Sequence, residues 1–150
     1  MKVYYYIFLF VLSVPCCSSN KEISSKGGES LLDYNIILGE GGGFTGNQEG
    51  NYIDSLGRVK SYNGITFSKS KMNNIGQLSI AQINEINNLF QTIKDKKYNE
   101  TGNMTSYLVL TKNNSELRFS WIGTLPGNNA PPELLSFYQK VTGIISKLNK

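Results

Sequence analysis

A chain of 150 residues with 15 Lys and Arg against 11 Asp and Glu has room for one domain and a short targeting segment. The basic surplus is mild and spread out, without the stripe and reading element that nucleic acid binding needs, so no nucleic-acid partner is predicted. There is no histidine, and the two cysteines are neighbours, Cys16 and Cys17; this excludes Ser-His-Asp and Cys-His catalysis and zinc sites built on His and Cys ligands.

The chain opens with Met1-Lys2, an apolar run over 3–14, then Pro15-Cys16-Cys17-Ser18-Ser19-Asn20. A positive start, a short apolar core and small residues at its end predict a secretory signal. The run falls short of the about 20 apolar residues that span a membrane. The pattern resembles a bacterial lipoprotein signal, whose cysteine becomes the lipidated first residue of the mature protein. Cys17 is the preferred acceptor, with Val14 three residues before it and Cys16, close to serine in size, just before it. Cys16 is the alternative register and puts Pro15 beside the cleaved bond. Acyl chains on that cysteine bury themselves in a leaflet, which predicts a protein of the bacterial cell envelope, anchored on the periplasmic or surface face. The expected divisions are a signal peptide over 1–16, a flexible tether over 17–30 and a single domain over 31–150. The tether follows from Ser, Lys, Gly and Glu with little to bury.

Residues 33–38 predict a first strand, with Tyr34, Ile36 and Leu38 on one face. Next comes Gly39-Glu40-Gly41-Gly42-Gly43-Phe44-Thr45-Gly46, in which five of eight residues are glycine and one is a bulky ring. Glycines in a row mark positive φ, close backbone approach or mobility. Both a loose hairpin turn and a binding loop satisfy that signal. A second strand over 47–54, a turn at Asp54-Ser55-Leu56-Gly57 and a third strand over 58–62 follow. Asn63-Gly64 predicts a hairpin turn into a short fourth strand over 65–67.

The period then changes. Ser79 and Gln82 form a capping box, with Leu78 and Ile83 as the hydrophobic staple. Ile83, Ile86, Phe90 and Ile93 fall on one helix face, and Lys94, Lys96 and Lys97 suit the far end of the dipole. Residues 104–111 and 117–121 predict a hairpin about Lys112-Asn113-Asn114-Ser115, with Leu117, Phe119 and Trp121 alternating with Arg118 and Ser120. Pro131-Pro132-Glu133 opens a last helix with the stripe Leu134, Tyr138, Val141, Ile145 and Leu148, in which Gly143 marks a site of close packing. The expected fold is α+β: an antiparallel sheet with two helices packed on it, the elements running four strands, helix, two strands, helix.

Gly41, Gly43 and Gly46 match G-x-G-x-x-G, but a strand-like polar segment follows instead of a helix. Asn47-Gln48 stands where a Walker loop needs Lys-Ser/Thr. Leu38-Gly39-Glu40-Gly41 is similar to a kinase glycine loop, yet the chain is too short for the catalytic and metal-binding segments. Asp33, Glu40, Glu49 and Asp54 are close in sequence, but nothing fixes two of them at the about 5 Å of a catalytic pair. The expectation is a non-enzyme without nucleotide, cofactor or metal site.

A first strand running into Gly42-Gly43-Phe44-Thr45-Gly46, a helix over 79–93 after a strand meander, the hairpin over 107–121 and the opening Pro131-Pro132-Glu133-Leu134-Leu135 together resemble the emfourin-like family of protein inhibitors of thermolysin-like metallopeptidases. The resemblance covers 34–148, and the chain departs from it by its lipoprotein signal, its tether and a longer stretch between loop and helix. It implies a protease-binding loop of Glu40, Gly41, Gly42, Gly43, Phe44, Thr45 and Gly46. Phe44 would be the apolar anchor, and Glu40 or a loop carbonyl would approach the peptidase's metal. The alternative is a non-inhibitory surface lipoprotein, an assembly subunit or a small-ligand binder. A Phe44 ring that points outward favours the first, and one folded back onto the sheet favours the second.

Overall fold

The computed structural model describes residues 30–65, 71–123 and 130–148. The signal peptide, both cysteines, most of the tether and part of the expected fourth strand lie outside the described residues. In chain order the elements are β1 (Asn35–Gly42), β2 (Asn47–Ile53), β3 (Arg58–Gly64), β4 (Asn73–Gln77), α1 (Ile80–Phe90), β5 (Met104–Lys112), β6 (Ser115–Ile122) and α2 (Pro132–Ser146). The strands form one six-stranded sheet in the order β4-β3-β2-β1-β5-β6, with every neighbouring pair antiparallel.

Alternation along the strands decides which face the helices cover. Ile36 and Leu38 of β1, Leu108 and Leu110 of β5, and Phe119 and Trp121 of β6 are buried on one side. They share a core with Ile83, Ile86 and Phe90 of α1 and with Leu134, Phe137 and Val141 of α2. Removing side chains of this size from water contributes about 1.5–3 kcal/mol each, so both helices are held by this face. The start of α1 is fixed locally. Gln82 N–H donates to Ser79 Oγ at 3.3 Å, and Ser79 N–H donates to Gln82 Oε1 at 2.8 Å. The β2–β3 turn is fixed by Asp54, whose Oδ1 accepts from Leu56 N–H and Arg58 N–H, both at 3.0 Å. Its Oδ2 pairs with Arg58 Nε at 2.6 Å.

The expected architecture is corrected in strand order and helical packing. Asn63-Gly64 is not a two-residue hairpin: β3 runs through it, with Asn63 opposite Glu49 and Gly64 opposite Gln48. Four further ladder positions on β2 outweigh a local turn preference. Next to β3 the sheet holds Asn73–Gln77, a short polar edge strand; of the expected strand over 65–67 only Ile65 is described, and it lies outside the strands. β5 and β6 pair on the side of β1 away from β2, which makes β1 a central strand. β1 itself runs on to Gly42, so half of the glycine stretch is strand. Both helices sit on one face, and α1 ends at Phe90 instead of Ile93. Ile93 is still buried, carried on the turn that follows.

The other face is closed by side chains of the sheet itself. Tyr62 of β3, Gly50 of β2, Gly39 of β1 and Tyr107 of β5 form one row across it. The two tyrosines lie over the two glycines, and their hydroxyls share a hydrogen bond of 2.7 Å. A Cβ on Gly50 would come within 2.6 Å of the Tyr62 hydroxyl, and one on Gly39 would collide with the same oxygen.

Candidate functional site

The β1–β2 hairpin closes at Gly42 opposite Asn47, leaving residues 43–46 as its turn. Gly42, Gly43 and Gly46 adopt φ of 120°, 71° and 62°, a region that side chains other than glycine enter at a cost. Gly46 N–H donates to Gly43 O at 3.2 Å across the turn. Phe44 and Thr45 therefore form the tip. Phe44 has a relative accessibility of 110%, so its ring stands clear of the sheet and does not fold back onto it. Thr45 is exposed too, with Oγ1 accepting from Asn47 N–H at 3.4 Å.

The base of this tip is firmly held. β1 is paired with β2 from Ile36 to Gly42 on one side and with β5 along its whole length on the other, and Gly43 N–H donates to Asn103 O. Glu40 and Gly41 lie within β1, so the expected seven-residue loop divides into a strand part and the turn proper. Ile65 just past β3, Met104 at the start of β5 and Ile122 at the end of β6 are also exposed. Antiparallel register brings all three to the same end of the sheet as Phe44. Of the five exposed large apolar residues among the described ones, only Ile80 lies elsewhere.

Behind the tip, on the helix-covered side, is an open hollow of about 470 Å³. Its floor carries Glu40, Glu49, Asn51, Ser61 and Asn63, and Tyr138 is the only helix residue on its wall. Glu40 stands directly opposite Glu49. Asn63 Nδ2 donates to Glu49 Oε2 at 3.4 Å, and Asn47 Nδ2 donates to Asn63 Oδ1 at 3.0 Å. Burial, then the Glu40 carboxylate and then Tyr107, hold the Tyr138 hydroxyl above the usual tyrosine range. Sequence reasoning missed this hollow, although a signal was present. Glu49 and Asn51 alternate in step with Ile53, and Ser61 and Asn63 with Val59, so polar residues occupy positions of the core-facing row.

Among the described residues no group of three or more His, Cys, Asp or Glu is placed to hold a metal ion, and no helix is long and apolar enough to cross a membrane. Neither the models of known protein families nor the curated proteins give a match to this chain.

Proposed function

We propose that the chain is an envelope lipoprotein, anchored through Cys17 or alternatively Cys16, whose β1–β2 tip enters and blocks the cleft of a thermolysin-like metallopeptidase. The observation that carries this reading is the full exposure of Phe44 on a turn whose base is held between two strands. A loop that is already ordered loses little freedom on binding, which leaves more of its contact energy as affinity. Burying the Phe44 ring in an apolar pocket contributes about 1.5–3 kcal/mol, and the neighbouring glycines let the backbone approach closely. Glu40 lies in β1, four positions before Phe44, so a carbonyl of the turn is the group best placed to approach the peptidase's zinc. In this reading the chain is not an enzyme and takes no nucleotide or nucleic acid.

The point where the described chain enters the sheet supports the same reading. Leu31 N–H and Leu32 N–H donate to Ser55 O at 2.8 and 3.0 Å. The chain therefore enters the sheet beside the β2–β3 turn, at the end opposite the tip. Phe44 thus stands at the end of the sheet opposite the point where the described chain enters it.

The test is inhibition of thermolysin-like and unrelated proteases by the purified protein. Inhibition confined to the metallopeptidases, weakened about tenfold or more by Phe44→Ala, is expected; tenfold corresponds to about 1.4 kcal/mol. No inhibition of any metallopeptidase at micromolar protein sinks the reading. Mass spectrometry of Cys17→Ser and Cys16→Ser variants tests the anchor, and processing unaffected by both refutes it. The second reading, a non-inhibitory assembly subunit, is favoured by Ile65, Met104 and Ile122, which make the apolar end wider than one loop. It predicts a stable complex that leaves protease activity intact. A binder of small apolar ligands fits less well, because the apolar hollow beside Tyr34 offers about 10 Å³, room for a single water.

A further inference from the structure

We propose that the open edge of β6 pairs with β6 of a second copy of this chain, antiparallel about Leu117, to form a weak twofold dimer. The sheet has two edges, β4 and β6. β4 is short, and its register against β3 shifts between Val59 and Lys60, an irregularity of the kind that blunts an edge. β6 is regular, matched to β5 without a shift from Ser115 to Trp121. One end of it is already covered. Glu100 N–H donates to Ser120 O at 2.9 Å, and Ser120 N–H donates to Tyr98 O at 3.2 Å. The stretch from Ser115 to Phe119 stays open.

The direction of the backbone groups follows from Ser120. Its N–H and C=O point away from β5, and in an antiparallel ladder that direction recurs at every second residue. Arg118 and Glu116 therefore hold their N–H and C=O outward as well. Among the described residues nothing covers these groups as 98–100 covers Ser120. An antiparallel strand centred on Leu117 meets both residues. Glu116 then faces Arg118 of the copy, Arg118 faces Glu116 of the copy, and every outward N–H and C=O of the two is used.

Charge fixes the register. Phe119 and Trp121 face the core, so Arg118 and Glu116 stand on the other face of the sheet. Both are exposed, and within one chain their charged groups approach only to 3.8 Å. Centring the pair on Leu117 sets each acid opposite the base of the other copy, and opposite charges so placed stabilise a sheet. Centring it one residue later sets Arg118 against Arg118 and drives Glu116 into the covered Ser120. Centring it one residue earlier sets Glu116 against Glu116. On the helix side Leu117, half-buried at the rim of the core, meets Leu117 of the copy. A twofold axis through Leu117 thus makes the strand complementary to itself, which selects a second copy as the occupant. So short a strand engages far fewer residues than the about 20–30 a side of a standard interface, so the dimer is weak. The pairing uses no residue of the 43–46 turn and stands apart from the inhibitor reading.

The experiment is sedimentation equilibrium of the purified protein from about 10 μM to about 1 mM, with amide exchange followed by NMR at both ends of that range. A reversible monomer–dimer equilibrium is expected, in which the Glu116 and Arg118 amides gain protection as concentration rises. The amides of Leu117 and Phe119 point at β5 and should not change with concentration. Arg118→Glu and Glu116→Arg, both at exposed positions, should each weaken the dimer about tenfold or more by setting like charges opposite each other. The double variant that carries both should restore it, and Phe44→Ala should leave it unchanged. The proposal is overturned if the parent stays monomeric at about 1 mM, also where the strand of another protein takes the edge instead. It is equally overturned if a dimer forms without protection at Glu116 and Arg118, or if the double variant pairs no more tightly than the single ones.

Discussion

Tyr62 and Tyr107 meet across β2 and β1 because Gly50 and Gly39 leave the sheet bare beneath them. At Gly39 an added Cβ would collide both with the Tyr62 hydroxyl and with the Glu49 carbonyl of the neighbouring strand. One of those neighbours is a side chain that can swing away, and the other is backbone that cannot. Gly39→Ala should therefore cost about 2–3 kcal/mol, in the upper part of the range for overpacking, read as a lower midpoint in urea unfolding. Adding Tyr62→Phe should recover only part of the loss, since the carbonyl clash stays; full recovery would assign the whole strain to the hydroxyl. The residues of the glycine stretch thus do different work. Gly39 makes room for a ring within the ladder, whereas Gly42, Gly43 and Gly46 supply positive φ at the turn. Sequence composition places them in one class, because close approach and turn geometry both select glycine and only the pairing partners separate them.

Elements whose signals are local were legible in the sequence. The Ser79–Gln82 capping box needs only four consecutive residues, and it is formed at the start of α1. Ile83, Ile86 and Phe90 repeat with the helical period and are buried. What the sequence hid was decided by pairing. Asn63-Gly64 has the chemistry of a hairpin turn, but the β2 ladder draws it into β3. β4 consists of Asn, Asn, Ile, Gly and Gln, residues of mostly poor strand propensity, and only its place beside β3 makes it a strand. Of the candidate site, the turn could be read from Phe44 set among glycines, but not the outward direction of its ring. The hollow was signalled only by polar residues in the core-facing rows of β2 and β3, and assembling it needs the register of three strands. Gly143 reverses its expected role. A Cβ there would meet nothing within 4 Å, so no close helix packing requires glycine at this point of α2. Gly143→Ala should then stabilise the protein by about 0.5–1 kcal/mol through helix propensity, seen as a higher urea midpoint with an unchanged slope. A lower midpoint would show that the helix depends on that gap.

At the scale of the whole molecule the sheet is a polar frame. The chain enters beside the β2–β3 turn, and the apolar tip lies at the other end. The eight residues of β1 connect the two, a span of about 27 Å at strand rise. Stability of this frame rests partly on tyrosines buried on both of its faces, and that gives it a definite response to alkali. Burial is the main cause that raises the hydroxyls of Tyr62, Tyr107 and Tyr138 above the ordinary value of 10.0. For Tyr62 the hydrogen bond to Tyr107 adds to the rise, whereas for Tyr107 the same bond opposes it. In each case the folded state holds the proton more tightly than the unfolded chain. Their contribution is therefore complete below about pH 10, the unfolded value, and is lost as pH rises beyond it, because the unfolded chain releases protons there that the folded one retains. Urea unfolding across pH 7–12 should give a midpoint insensitive to these groups up to about pH 10 and a steep fall above it. Phenolate absorbance from these three rings should appear together with unfolding. Tyr62→Phe should make the fall above pH 10 shallower, since it removes one of the protons that links stability to pH. An equal slope in that variant, or phenolate absorbance complete before any unfolding, would show that the Tyr62–Tyr107 face is open to water and does not close the sheet.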